Sequence, residues 1–474
     1  MSDLLRHRTP EDRLFLTYAR TFNLARATEL AQSDRAVADR FPLGVLFADA
    51  ERCRGCTPAE FRTLYRVRAP EWEPAVRSYQ IIFFLHHQQH AITLYDLEQL
   101  EAEIDVCPGD AVLDNSLLQC LRGHLQVRLG DIRKAERILI AQLDVLARRP
   151  GCLYGEYVRA LLHRNLGLTC QHLGDFTAAD EHLAKALKIT RAHTFLLEIS
   201  CNWFLGSLQW AAGQFREALS THRNRELREL AARTGNWNHL LHSFVSAAKC
   251  ALDAKETDIA AAELDIARRI LAEGSGRWPE IEGYLLLYTG ELEVQRENFE
   301  RGIALLEKAQ AYFEHMSPRH YPGILDAKIA LCHFALYERD YGTAFGMIRR
   351  LMEEAEAYGC LEARSRLLLI EAYLFITEDP PPRAAYDRLL TRVHLIHNPT
   401  VLFRALANLY TYALEFLDES DQAFILTRLK NLRGSMTEGC FLDLYQRYVV
   451  DRYEYAIENR LARFTHGDSA AADE

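Results

Sequence analysis

One spaced pattern recurs along the middle of this 474-residue chain: a small residue, a second small residue twelve positions later, and a bulky residue three positions before the second. Copies occur at Gly123/Ile132/Ala135, Gly167/Phe176/Ala179, Gly206/Phe215/Ala218, Gly290/Phe299/Gly302 and Cys332/Tyr341/Ala344. Ala248 and Ala260 form a sixth copy that lacks the aromatic residue. Repetition at a regular interval indicates an array in which each unit stacks on the next. Such an array favours binding of other molecules over catalysis.

The stretch 161–190, LLHRNLGLTCQHLGDFTAADEHLAKALKIT, shows the repeated unit most clearly. Its apolar residues follow helical spacing before and after Gly174-Asp175, which predicts two helices joined by a tight turn. Gly167 and Ala179 are small enough to let the two helices approach closely. Phe176 then fills the wedge near the turn. The pattern predicts an antiparallel helical hairpin.

These motifs resemble the tetratricopeptide repeat (TPR) family, over at least residues 115–357. The matching residues are Leu166-Gly167 with Ala179, Leu183 and Ala186; Leu205-Gly206 with Ala218; and Gly290 with Gly302, Leu306 and Ala309. His222, Arg225 and Cys332 depart from the family pattern. The resemblance implies an all-α fold: a right-handed superhelical array of antiparallel helix hairpins, that is, a TPR-like α-solenoid.

The interval between repeats is long. The small residues at 123, 167, 206, 248, 290 and 332 are separated by 44, 39, 42, 42 and 42 positions, whereas the commonest TPR period is about 34. A period near 42 is similar to the repeats of kinesin light chains and of bacterial signal-sensing regulators. The sequence also lacks the Lys, Asn and Arg set of the family's peptide carboxylate clamp.

Extending the same phase outward gives the domain organisation. Further units fit at 364–397 and 402–432, and a degenerate one lies around Ile81. We therefore predict a TPR-like array over 76–435, preceded by an N-terminal helical region over 1–75. A capping helix is expected at 436–464, because the last repeat of an array must cover its exposed apolar face. Residues 465–474 are small and acidic and predict a disordered tail.

The resemblance implies that the first helix of each hairpin lines a concave groove. Counting from the small residues nominates a partner-binding set: Arg128, Arg164, Gln171, His172, Trp203, Trp210, Lys249 and Glu291. Tryptophan beside arginine is typical of binding hot spots. Two readings stay open for each type of side chain. The tryptophans either face the groove or pack between hairpins, and the arginines either clamp a carboxylate or stay solvated.

The first seventy-five residues contain two further signals. Residues 22–41 loosely resemble a bacterial helix-turn-helix, within a candidate DNA-binding segment at 14–45. Asp34 and Asp39 oppose this reading because they would face phosphates. Cys53 and Cys56 form a CxxC motif before a helix start, which suits metal or redox chemistry or, more plainly, two ordinary cysteines.

Several classes of function are disfavoured by composition and motifs. The net charge of −10 argues against wholesale binding to nucleic acid, and no stretch has the roughly 20 apolar residues that cross a bilayer. No phosphate-binding loop, nucleophile elbow or HExxH motif occurs, so we predict no enzyme, no catalytic residue, no cofactor and no bound metal. Eleven cysteines without a disulfide-type framework, and no secretory leader, favour the cytoplasm.

Two functions remain. The first is an intracellular scaffold or adaptor that binds a partner protein or peptide in the concave groove of a TPR superhelix. The alternative is a transcriptional regulator whose TPR region senses a peptide, protein or small ligand and controls an N-terminal helix-turn-helix.

Overall fold

The computed structural model describes residues 111–148, 153–193, 196–233, 236–273, 278–338, 340–375, 383–396, 398–416, 419–435 and 438–450, with residues 30, 33, 34, 94, 95, 97, 98 and 101. All regular structure in this part of the chain is helical. Close contacts divide the chain into two compact units: Met1–Trp210 with Phe215–Ala330, and Ala211–Gln214 with Leu331–Glu474. This division falls inside the predicted array at 76–435, and the domain boundaries drawn from the sequence stay predictions.

The helices of the first unit follow one another as hairpins. They are α1 (Ala111–Leu129), α2 (Ile132–Ala147), α3 (Leu153–His172), α4 (Phe176–His193), α5 (Leu197–Ala211), α6 (Phe215–His222), α7 (Arg225–Arg233), α8 (Trp237–Asp253), α9 (Thr257–Glu273), α10 (Pro279–Gln295), α11 (Phe299–His315) and α12 (Tyr321–Tyr337), which continues into the second unit. Second helices thus begin at the bulky residue of the sequence pattern, as at Ile132, Phe176, Phe215 and Phe299.

Tight turns join the helices of the first two hairpins. Gly130 and Gly174 follow α1 and α3 with φ of +90° and +73°, a left-handed conformation that glycine adopts without a Cβ clash. Asp131 and Asp175 come next, and each carboxylate accepts a hydrogen bond from the backbone N–H three residues further on, at 3.2 and 3.0 Å. These caps satisfy N–H groups that the first turn of a helix leaves without an intrahelical partner.

The small residues of the sequence pattern set the distance between the two helices. Glycines on three first helices face leucines on the paired second helices, as Gly123/Leu139, Gly167/Leu183 and Gly290/Leu306. A Cβ added at these glycines would lie 2.8, 2.7 and 2.9 Å from the nearest leucine carbon, closer than real Cβ contacts. The predicted steric role of the small residue is therefore seen in the packing.

The third hairpin differs from its neighbours in its second helix. The run from Phe215 to Arg233 is interrupted, so that α6 ends at His222 and α7 begins at Arg225. Between them, the Asn224 carboxamide oxygen accepts a hydrogen bond from the N–H of Leu227 at 3.1 Å and caps α7. By contrast, α4 and α9 run for 18 and 17 residues without a break.

The second unit is also helical. Its elements are α13 (Tyr341–Ala357), α14 (Leu361–Phe375), α15 (Arg383–Arg392), a 3-10 turn at Val393–Leu395, α16 (Pro399–Phe416), α17 (Glu419–Asn431), a 3-10 turn at Leu432–Ser435, α18 (Glu438–Tyr445) and a π-helical turn at Gln446–Val450. The described part of the predicted capping segment is thus helical. None of the helices in the described ranges combines the length and hydropathy needed to cross a bilayer.

Candidate binding surface

The first helices of successive hairpins lie side by side and are joined by polar contacts one repeat apart. These bonds are Gln171 Nε2 to Ser207 Oγ (3.3 Å), Trp203 Nε1 to Ser246 Oγ (2.9 Å), Trp210 Nε1 to Asp253 Oδ2 (2.6 Å) and Lys249 Nζ to Glu291 Oε2 (2.8 Å). Each one starts at a residue that the sequence nominated for the groove. Residues one period apart on stacked helices share a face, so this row of four hydrogen bonds, which we call the ladder, runs along one surface of the first unit.

Three nominated residues meet in one group of side chains, which we call the Trp210 cluster: Trp210, Lys249, Asp253, Tyr288 and Glu291. The Lys249 ammonium lies 2.8 Å from Glu291 and 3.6 Å from Asp253. It also lies over two aromatic rings, 5.7 Å from the centroid of Trp210 and 5.6 Å from that of Tyr288. The cluster combines three helices, α5, α8 and α10, around one cation.

The Trp210 cluster is reachable by solvent and carries an excess of negative charge. The side chains of Lys249, Asp253 and Glu291 are 12%, 29% and 17% exposed. Among the described side chains, two carboxylates lie against one ammonium, which gives the cluster a formal charge of −1. The negative faces of the aromatic rings add to the attraction for cations. This arrangement can bind a positively charged group.

The other tryptophan, Trp203, is held mainly by aromatic neighbours. Its ring lies 4.6 Å from that of Phe204 and 4.7 Å from that of His242, centroid to centroid. Because His242 belongs to α8, Trp203 of α5 packs between two hairpins, as one of the two readings of the sequence expected. Its indole N–H still reaches Ser246 on the ladder.

Arg164 lies in the interior of the unit. It is 1% exposed, and its guanidinium donates hydrogen bonds to Asn165 Oδ1 at 2.8 Å and to Ser200 Oγ at 3.1 Å. Its guanidinium carbon also lies 5.3 Å from the centroid of the Phe204 ring. The expectation that Arg164 stays solvated is wrong, because its position in the first helix directs it between neighbouring hairpins. A clamping role stays a prediction that would require these bonds to open.

Arg128 is also buried, and it faces a second polar group, the Glu280 cluster of Arg128, His242, Glu280 and His320. Arg128 is 2% exposed, so the solvated reading is wrong for it too. The Glu280 carboxylate lies 3.3 Å from His320 and 3.8 Å from both His242 and Arg128. The cluster brings α1, α8 and α10 together with the segment that precedes α12.

Electrostatics keeps Glu280 ionised. Burial acts to raise the pKa of Glu280, but His320, Arg128 and His242 outweigh burial and hold that pKa well below its usual range. Burial and, next to it, Arg128 lower the pKa of the adjacent His124 to about 3. The half-buried His172 has its pKa lowered to about 4, chiefly by burial. His124 and His172 are therefore neutral at pH 7 and stay neutral at mildly acidic pH.

Sequence reasoning missed Glu280, His320 and Tyr288. Glu280 follows Pro279 at the start of α10, where an acidic residue is expected simply to complement the helix dipole. Tyr288 follows Leu287, which is fully buried, and lies three positions before the nominated Glu291. A shift of one position along a helix, about 100°, separates the core face from the groove face.

Two sequence proposals concern residues that lie largely outside the described ranges. The segment 14–45 is described only at residues 30, 33 and 34, and Cys53 and Cys56 are not described. In the part of the chain that the structure describes, no group of three or more His, Cys, Asp or Glu side chains could hold a metal ion. The cysteines at 120, 170, 201, 250, 332 and 360 are buried.

Comparisons with known proteins bear on the fold. Residues 164–193 match a family model described as tetratricopeptide repeat. Comparison with curated protein sequences gives no match. Among solved structures, the chain is similar to the crystal structure of a Rap protein complexed with competence and sporulation factor, with 14% identity and a TM-score of 0.54 over 77% of this chain and 98% of that chain.

At that identity the likeness shows the fold alone. The second hairpin, α3–α4, contains the matched repeat, and the hairpins α1–α2 and α10–α11 show the same contact of glycine against leucine. The predicted all-α, TPR-like fold is therefore confirmed. The chain has a TPR-like helical-repeat fold, and residues 164–193 match the tetratricopeptide repeat model.

Proposed function

We propose that this protein is an interaction scaffold that holds a partner protein or peptide on the surface formed by α5, α8 and α10. The observation that carries the proposal is the Trp210 cluster, in which an aromatic residue, a lysine and two carboxylates from three hairpins share one accessible site. Aromatic anchors with charged neighbours dominate the binding free energy of protein interfaces. The fold that this chain shares with a Rap protein holds competence and sporulation factor in that protein.

The chemistry of the cluster defines the side chain that would bind. A formal charge of −1 and two ring faces favour a lysine or arginine of the partner over an acidic residue. Lys249 of the protein itself occupies part of this site, 2.8 Å from Glu291. An incoming cation would share the two carboxylates with Lys249 or displace it. The chain's net charge of −10 would steer a basic segment toward the protein at low salt.

Affinity capture from the native host, followed by mass spectrometry, tests the proposal. The wild-type protein should retain a partner that Trp210→Ala and Glu291→Gln lose by at least about tenfold, since hot-spot truncations cost ~2 kcal/mol or more. Phe345→Ala is the matched control, because Phe345 is an aromatic residue that is 53% exposed and lies in the second unit. Retention of every partner by both cluster variants, with melting unchanged, would contradict the proposal.

The transcriptional regulator and the cytoplasmic location stay predictions from the sequence. The regulator needs DNA binding by residues 14–45, most of which lie outside the described ranges. A mobility shift on promoter DNA that is lost when Arg35 and Arg40 are changed would support the regulator. Absence of any shift would leave the scaffold as the single proposal.

A further inference from the structure

Two histidines of the second hairpin contact each other outside its apolar core. His163 lies on α3 and His182 on α4, and their Nδ1 atoms are 2.9 Å apart. The ring centroids are 5.2 Å apart, with an angle of 32° between the ring planes. Both side chains are partly exposed, whereas the neighbouring Leu162 and Leu183 are buried. The pair therefore lies at an edge of the hairpin that solvent reaches.

The packing of the hairpin holds the two rings together. His163 is one helical turn before Gly167, and His182 directly precedes Leu183. Gly167 and Leu183 form the contact that sets the separation of α3 and α4. Because that contact is buried, the two imidazoles keep their spacing without a bound molecule. Such preorganisation by the surrounding packing is what a metal site requires.

The distance between the two nitrogens matches that of two ligands on one metal ion. Imidazole nitrogens bind first-row divalent ions at about 2.0–2.1 Å. Two such bonds at a right angle put the nitrogens about 2.9 Å apart, whereas the tetrahedral angle puts them about 3.3 Å apart. The observed 2.9 Å is thus the separation of adjacent ligands in a square-planar or tetragonal ion. Copper(II) and nickel(II) prefer that geometry with nitrogen and oxygen ligands.

The pair can replace its hydrogen bond by a metal ion. At 2.9 Å, one ring donates its Nδ1–H to the Nδ1 of the other. Burial lowers the pKa of both rings, that of His163 to about 4, so both are neutral at pH 7. The donor ring can move its proton to Nε2, and a rotation of the rings then directs both Nδ1 lone pairs at one ion. This exchange releases no net proton.

The charged groups around the pair are balanced. Lys185 and Arg159 are the basic side chains that act on His163. The Lys185 ammonium lies 3.7 Å from the Glu181 carboxylate, and Arg159 forms an ion pair with Glu156. Asp175 adds a further carboxylate that acts on the pair. The local charge therefore does not exclude a divalent cation.

We infer that His163 and His182 form a binding site for a divalent transition-metal ion of the copper(II) or nickel(II) type. The two imidazoles fill two adjacent positions of the ion, and water or a donor atom of a bound molecule fills the others. The site belongs to the second hairpin alone. It shares no residue with the Trp210 cluster and does not depend on the proposed scaffold function.

Calorimetric titration of the full chain, purified without a polyhistidine tag, tests the inference with nickel(II) chloride as the probe. The wild-type protein should show one saturable site. His163→Asn and His182→Asn should each weaken it by at least about tenfold, since each removes one of the two ligands. His315→Asn is the matched control, because His315 is an exposed histidine on α11 whose Nδ1 lies 2.6 Å from the carbonyl oxygen of Ala311. That variant should bind nickel as the wild type does.

Electron paramagnetic resonance of the wild-type protein with one equivalent of copper(II) tests the geometry without any substitution. The copper signal should show coupling to two imidazole nitrogens. Coupling to a single nitrogen overturns the inference. So does a nickel site that survives in either single variant, its loss in His315→Asn, or the absence of saturable binding by the wild type.

Discussion

The second and third hairpins both pack a glycine of the first helix against the second helix, but their second helices differ. In the second, Gly167 packs against Leu183, and α4 continues for 18 residues. In the third, Gly206 packs against His222, and the second helix stops there and restarts at Arg225. The glycine sets the approach of the helices in both. The hairpins differ in the residue that faces the glycine and in the continuity of the second helix.

A single polar residue at a core position thus has consequences over a whole repeat. Among the described residues, neither ring nitrogen of His222 has a hydrogen-bond partner, and the chain beyond it restarts as α7 with Asn224 as its cap. Arg228 of α7 then forms an ion pair with Glu263 of α9, and their side chains are 15% and 4% exposed. Local departures from a regular pattern of this kind are expected at functional sites.

The largest effect expected concerns the ion pair of the third hairpin. Glu263→Gln removes the carboxylate from Arg228 and Arg223, and we expect a loss of about 3 kcal/mol in the free energy of unfolding, because a buried cation loses its partner. Glu181→Gln in the second hairpin breaks an exposed pair with Lys185 and should cost less than about 1 kcal/mol. Urea titration of both variants measures the difference, and equal losses would refute the contrast.

The next effect concerns the glycine contact itself. Gly167→Ala places a Cβ 2.7 Å from Leu183 and 3.3 Å from the carbonyl oxygen of Ala179, so overpacking should destabilise the protein by about 1–3 kcal/mol. Gly346→Ala is the matched control, because its nearest neighbour is an arginine nitrogen at 4.0 Å. Helix propensity alone should make that variant up to ~1 kcal/mol more stable. Opposite signs in thermal unfolding are predicted, and stabilisation by both substitutions would contradict close approach.

Converting the third hairpin to the regular pattern should stabilise it. His222→Leu removes the buried ring without a partner and restores the leucine of the other hairpins, so a gain of about 1–2 kcal/mol is expected. His315→Leu changes an exposed histidine on α11 and should stay within about 0.5 kcal/mol of wild type. Chemical denaturation measures both changes. Destabilisation by His222→Leu would show that the imidazole stabilises the native interface.

The last contrast is the pH dependence of stability. Because the folded-state pKa of His222 is about 3 and the ordinary pKa of histidine is 6.5, the unfolded chain binds the extra proton between those values. Stability from this histidine is therefore complete above about pH 6.5 and is lost as the pH falls toward 3, at up to ~1.4 kcal/mol per pH unit. His222→Leu should reduce that slope by one proton. Equal slopes in wild type and His222→Leu would contradict the buried, neutral imidazole.

The fold was readable from the sequence because its determinants are local and repeated. Gly167, Phe176 and Ala179 recur in phase, and each copy specifies the same hairpin. The burial of Arg164 and Arg128 could not be predicted from the sequence. A basic residue in a helix does not reveal which side chains of a neighbouring repeat, such as Ser200, become its hydrogen-bond partners. The break in the third hairpin was signalled only as a departure from the pattern, His222 in place of an apolar residue. Its neighbours Arg228 and Glu263 become partners only after the helix breaks.

The Trp210 cluster is the part of the site that the repeat phase predicted best, since Trp210, Lys249 and Glu291 were all nominated and lie together. Its binding role is most directly tested by titration calorimetry of the captured partner against two variants with opposite expected effects. Lys249→Met removes the competing ammonium and should tighten binding by about fivefold, ~1 kcal/mol, whereas Glu291→Gln should weaken it by at least about tenfold. Changes of the same sign in both variants, or no change in either, would contradict a cation-binding surface at this cluster.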